Sequence, residues 1–294
     1  MSVVPKYKGK KLYSDVSGLK STNWDAIVIG SGIGGMSCAS ALSKTGMRVL
    51  VLEQHYIPGG YTHMFARKGY EWDVGVHAIG EMRPKDKPRR ILNWLCKEPI
   101  EMISLGDPYD EFKFPEGFNY GLPSKKEVFV SQLQKEFPDQ STQVREYVDM
   151  LYKIVSYSKF YFLFKTLPLW LATICEFIVH LFYRNWCKVT TDQLMDELNI
   201  KGKLRTLLTV HWGYYGSLPK DSSIPMHALT HVHFRNGASY PVGGAKVFAE
   251  QMMASVIDEG GQVITKAKVV ELLMNKNKAI GVKLEGGEII KANK

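Results

Sequence analysis

The chain has 294 residues, a formal net charge of +9 and a pI near 9.2. Its 45% hydrophobic and 23% charged residues suit a folded globular protein with one large or two small domains, which argues against disorder outside the first residues. The basic excess suits an anionic partner, but no nucleic-acid motif accompanies it, so a membrane surface or a phosphorylated ligand is expected instead.

Residues 1–23 read as a polar tail carrying Lys6, Lys8, Lys10 and Lys11, without the apolar run of a signal peptide. Asp25–Gly30 (DAIVIG) reads as a buried parallel strand, because its apolar run ends in glycine. Ile33–Thr45, rich in small residues and closed by Gly46, reads as a helix. Arg48–Glu53 (RVLVLE) reads as a second buried strand. Together they form a βαβ unit, the start of a doubly wound α/β sheet.

Gly30, Gly32 and Gly35 form a GxGxxG set around Ser31, with Gly34 as an extra glycine. A strand before it, a helix after it and an acid beyond it supply the context that this spacing needs. Gly30 permits the tight turn, Gly32 lets backbone approach a pyrophosphate, and Gly35 lets the helix pack closely on the strand. The helix start offers N–H groups and a partial positive charge to phosphates. Glu53, followed by Gln54, stands where an acid accepts hydrogen bonds from a ribose. A carboxylate there repels a 2′-phosphate, so FAD or NAD is expected over NADP. Gly59-Gly60 follows, either running back along the cofactor or making a plain turn.

From Arg83 to Gly121 prolines and glycines recur, so loops and short strands are expected. Ser131–Leu151 reads as an amphipathic helix, and so does Thr190–Leu208. Between them, Phe160–Tyr183 is the most apolar stretch of the chain. It is long enough to span a bilayer, for which roughly 20 residues suffice. Lys165, Glu176, His180 and Pro168 oppose spanning, and Lys153, Lys159, Arg184 and Lys188 flank the run. That pattern predicts a monotopic element lying in one leaflet, with a buried core helix and a true span as the other readings. Near the end, Ala245–Glu259 reads as a helix. Gln262–Lys266, Lys268–Met274, Ala279–Leu284 and Glu288–Lys291 read as strands, with turns at Asn275 and Gly286-Gly287. The four cysteines form no CxxC pair and read as reduced core thiols, and no metal site is expected.

The run from Asp25 to Met82, with the glycine set, Glu53, Gly59-Gly60, Phe65, Gly69, Asp73, Gly75, His77 and Gly80, resembles the FAD-binding entry of retinol saturases and carotenoid isomerases. A second block, His211–Met253, resembles the same group, with Met226-His227-Ala228 and Tyr240–Gly244 closest to the saturases. The resemblance implies an FAD-binding doubly wound domain, Rossmann-like and of the glutathione-reductase type, interrupted by a mixed α/β substrate- and membrane-binding region. On that basis 24–82 is the first part of the FAD domain, 83–239 the inserted region and 240–294 the returning segment. Gly260–Lys291 resembles strands that rejoin the FAD sheet, with Val269 or Val270 at the adenine through its backbone.

The same resemblance implies oxidoreduction at a polyene double bond, most like saturation of all-trans-retinol, with a retinoid or carotenoid as partner. NAD or NADP is the possible electron donor. A carotenoid desaturase or isomerase is the alternative, and so is a non-catalytic membrane-bound remnant, because relatives continue into a glycine-rich segment that closes the flavin site. A membrane location is implied, the endoplasmic reticulum in a eukaryote. Such chemistry needs a proton donor beside the flavin hydride, and His77, His227, His233 and Tyr240 are the candidates. The spacing of His231 and His233 suggests a metal, but no further ligand cluster accompanies it.

Overall fold

The computed structural model describes residues 6–20, 23–174 and 183–293. The chain divides into two compact units, one made of 1–104 and 239–294 and the other of 105–238.

The first unit is built on a three-stranded parallel sheet. Ala26–Ile29 pairs with Val49–Leu52, and Gln262–Ile264 pairs on the other side of Val49–Leu52. The middle strand is the VLVL run, in which no side chain is more than 1% exposed. A strand covered on both faces needs an unbroken apolar sequence, and each such side chain contributes roughly 1.5–3 kcal/mol by burial. Helix Ile33–Ser43 crosses between the strands and packs with Lys246–Asp258, sharing a core of Met36, Ala39, Phe248, Met252 and Met253. The small residues anticipated on the crossover helix permit that close approach. Ser14 of the N-terminal region bridges in parallel to Ile264, and Leu12 is buried.

The three strands after Gln262–Ile264 do not rejoin the parallel sheet. Val269–Asn275, Lys278–Leu284 and Ile289–Lys291 make a separate antiparallel sheet, closed by tight turns at Asn275–Lys278 and at Gly286-Gly287. Turns of that length can only reverse the chain, so successive strands must run antiparallel.

The second unit is mostly helical. Helix Ser141–Lys165 buries Val144, Tyr147, Val148, Leu151, Ile154 and Ser158, the spacing of one helical face. It packs with Ile224–His233 and Lys126–Glu136 around a core that includes Leu133, Leu194, Met195 and Leu204. The single helix anticipated over Ser131–Leu151 is therefore two helices. Pro138 breaks it, starting the short 3-10 turn Pro138–Gln140. The helix anticipated over Thr190–Leu208 is also two, Thr191–Glu197 and Gly202–Thr209, separated at the left-handed Asn199, with Gly202, also at positive φ, opening the second. The loop-rich stretch 83–121 holds an unanticipated helix, Lys87–Leu95, with Pro88 in its first turn, where a missing N–H costs nothing. Of the cysteines, only Cys96 among the described residues is a core thiol, pushed by burial to a pKa of about 12, whereas Cys38 and Cys187 are exposed. Cys175, Glu176 and His180, on which the membrane reading partly rests, lie outside the described residues.

Candidate functional site

The glycine loop leaves the carboxyl end of strand Ala26–Ile29, where doubly wound sheets bind their ligands. Gly30 adopts φ +93, a left-handed conformation, while its N–H donates to Leu52 O at 2.8 Å and holds the loop to the neighbouring strand. Gly32 caps the helix, accepting from Met36 N at 2.9 Å. A Cβ on Gly35 would lie 2.0 Å from Gly30 O, so only glycine lets the helix sit this close to the strand end. At Gly32 and Gly34 a Cβ would meet nothing within 4 Å. These two glycines therefore border open space, and the first-turn N–H groups of the helix face a cradle suited to a pyrophosphate.

Glu53, 9% exposed, closes one side of that cradle. Its Oε2 accepts from the Ser31 backbone N–H at 2.8 Å and from the Ser31 hydroxyl at 2.6 Å, and Oε1 accepts from His55 N at 2.8 Å. The Gly59 N–H donates to the same Ser31 hydroxyl at 3.0 Å. Gly59 and Gly60 both take positive φ, and a Cβ on Gly60 would lie 2.8 Å from Gly32 Cα. The second glycine pair thus packs directly on the first. These are the residues a dinucleotide would need: glycines open to phosphates, and an acid held beside them. Gln54 is exposed next to Glu53. Val269 is half-buried at the start of the antiparallel sheet and Val270 is 51% exposed.

Tyr240 donates its hydroxyl to Asp73 Oδ2, while Asp73 Oδ1 accepts from Ala245 N at 2.9 Å. Burial, then the Asp73 carboxylate, pushes the Tyr240 hydroxyl well above the usual phenol range, so it stays protonated and ties hairpin Met64–Arg67/Tyr70–Asp73 to the Gly243-Gly244 turn. His77 is exposed in the same unit.

In the second unit, His227 is fully buried. Its Nε2 lies 2.6 Å from the Tyr147 hydroxyl and its Nδ1 3.0 Å from the Tyr215 hydroxyl. A neutral imidazole donates from one nitrogen and accepts at the other, so both are satisfied. His211, 1% exposed, stacks between Phe234 and neighbouring rings, with Nε2 3.5 Å from the Tyr109 hydroxyl and a buried Nδ1 that has no hydrogen-bond partner among the described residues. Burial, reinforced by the next histidine, pushes both down to about 3, so both are neutral at pH 7. His231 lies 5.4 Å from His211, ring to ring, and His233 packs against Phe234 at 5.0 Å. Sequence reasoning missed His211, Tyr147 and Tyr215 as partners. Each looks like an ordinary core position until three helices bring them together. Among the described residues no group of His, Cys, Asp or Glu could hold a metal ion.

Residues 28–95 match the NAD(P)-binding Rossmann-like domain family. The all-trans-retinol 13,14-reductase of Danio rerio is 36% identical over 276 residues, covering 90% of this chain and 45% of that protein. Prolycopene isomerase 1, chloroplastic, of an Oncidium hybrid cultivar is 29% identical, covering 91% of this chain and 47% of that protein. Cyclohexylamine oxidase of Brevibacterium oxydans shares the fold, with TM-score 0.59 and 20% identity over 92% of this chain and 57% of that one. The chain therefore spans less than half the length of these curated relatives. Over nine-tenths of its own length, this chain is similar to all-trans-retinol 13,14-reductases and prolycopene isomerases.

Proposed function

We propose that the chain carries the FAD-binding part of an oxidoreductase acting on a polyene double bond, with saturation of all-trans-retinol as the reaction. The observation that carries the reading is the glycine cradle of Gly30–Gly35, closed by Glu53 and by the Gly59–Gly60 turn, in a chain similar to retinol reductases. A bound flavin would supply hydride chemistry. In that arrangement the loop N–H groups hold the pyrophosphate, and Glu53 takes a ribose hydroxyl and disfavours a 2′-phosphate. NAD or NADP would be the electron donor to such a flavin. Tyr240 keeps its own proton, donates it in a hydrogen bond to Asp73 and holds the hairpin in place. His227, enclosed by Tyr147 and Tyr215, cannot reach a ligand without local opening. The similarity to prolycopene isomerase favours isomerisation of a carotenoid as the second reading.

The test is flavin absorbance retained by the purified chain after desalting, followed by product analysis with all-trans-retinol and a cis-carotenoid. Gly32→Asp puts a negative side chain where the pyrophosphate sits and should remove the flavin. Flavin that persists in this variant would place the cofactor elsewhere.

We further propose that the chain attaches to one leaflet of a membrane through the apolar stretch beginning at Phe160. Supporting this are the exposed Phe160, Phe162 and Leu163 at the end of the long helix, then Leu169 at 84% exposed, Trp170 and Ile174, with Lys159 and Lys165 among them. Among the described residues no helix is long and apolar enough to cross a membrane. Serine at Leu169, Trp170 and Leu171 should move the protein from the vesicle-bound to the soluble fraction. Retention by vesicles after those changes overturns the anchor.

A further inference from the structure

We infer that Ser31 is a positioning residue for nucleotide recognition: its hydroxyl aims Glu53 at the ribose and ties that acid to the Gly59–Gly60 turn. The inference rests on the dinucleotide reading above. Ser31 is fully buried, so its side chain does not itself face a ligand. What it touches is the acid and the second glycine turn. Its hydroxyl donates to Glu53 Oε2 at 2.6 Å and accepts from Gly59 N–H at 3.0 Å, and its N–H donates to the same Oε2 at 2.8 Å.

An ionised carboxylate offers about four acceptor positions. The chain fills both positions on Oε2 from Ser31 and one on Oε1 from His55 N. One position on Oε1 is left, and the orientation of the carboxylate decides where it points. Without the hydroxyl, the carboxylate can swing away from the cradle, and the Gly59 N–H loses its acceptor in a buried place. Because a Cβ on Gly60 would lie only 2.8 Å from Gly32 Cα, a shift of the second turn also reaches the phosphate-facing glycine. One hydroxyl therefore coordinates ribose recognition with the shape of the phosphate loop.

The experiment measures ADP and 2′-deoxy-ADP binding to the chain by calorimetry, in wild type, Ser31→Ala, Glu53→Ala and the double variant. Ser31→Ala should weaken ADP about tenfold, the effect of disturbing one hydrogen bond to a charged group, and leave 2′-deoxy-ADP within about twofold. In the Glu53→Ala background, Ser31→Ala should change ADP binding by less than about twofold, because the group it acts through is gone. A purely structural hydroxyl would weaken both nucleotides alike in both backgrounds, and that result overturns the inference. Undiminished ADP binding in Ser31→Ala also overturns it. If Ser31→Ala does not fold, Ser31→Cys keeps the volume with a much weaker donor and carries the same comparison. A wild-type chain that binds neither nucleotide nor FAD sinks the dinucleotide reading itself. A wild type that binds, with variants that match it, sinks only the role of Ser31.

Discussion

The two units treat polar groups in opposite ways. In the first, Ser31, Glu53 and Gly59 satisfy one another at the rim of a cradle, where Gly32 and Gly34 border open space. In the second, His211 and His227 are sunk in a helical core, ringed by Tyr109, Tyr147 and Tyr215 and by Phe112 and Phe234. Both clusters consist of residue types that do chemistry. Only the first lies beside glycines at which a Cβ would meet nothing within 4 Å. Chemical potential in a side chain becomes function only where the backbone leaves room beside it. Elsewhere the same groups rigidify a core, at the risk of an unpaired charge.

Acid should expose this difference most strongly. His211 and His227 fall to about 3 in the folded chain, below the 6.5 of an unfolded histidine. The unfolded state then binds protons that the folded state refuses. Stability is full above about pH 6.5 and falls as pH drops toward 3, by about 1.4 kcal/mol per pH unit for each histidine. Urea unfolding followed by a signal from the helical unit should show its midpoint dropping across that range. A midpoint unchanged from pH 7 to 5 would mean that the histidines are solvated.

Glu53→Ala should have the next largest effect, and on the other unit. It should weaken FAD binding by roughly 1.5–3 kcal/mol, the range for hydrogen bonds to a charged acceptor, and leave the acid-sensitive unfolding of the helical unit unchanged. Flavin titration checks the first part and urea unfolding the second. Equal flavin affinity in wild type and variant would mean that the carboxylate serves only Ser31 and His55.

Tyr147→Phe should be the smallest of the three. Removing its hydroxyl takes from His227 Nε2 its 2.6 Å partner inside the core, which costs about 1–2 kcal/mol of stability. Flavin binding should not change. A variant as stable as wild type would show that His227 turns to another acceptor, and a variant that loses flavin would show that the histidine core reaches the cofactor.

Much of the first unit was legible in the chain. The strands around Ala26–Ile29 and Val49–Leu52, the crossover helix and the glycine set rest on local rules, because an apolar run ending in glycine has few other uses. The place of Glu53 beside the loop was legible for the same reason, by its distance along the chain. The antiparallel sheet after Ile264 was half legible. Its strands and turns were evident, but not that they leave the parallel sheet, since strand partners depend on what lies across the fold. The helical unit was the least legible. Pro138 and the left-handed pair Asn199 and Gly202 split helices that periodicity alone joined, and Pro88 opened one in a stretch read as loop.

The sequence by itself determined the dinucleotide fold and the acid at its rim, because both follow from neighbours within a few dozen residues. Only the tertiary structure decided what the other polar groups do. It buried Ser31 between Glu53 and Gly59, put Asp73 under Tyr240, and enclosed His227 between two tyrosine hydroxyls. Those partners lie far away along the chain, and a side chain's protonation and reach are set by what packs against it.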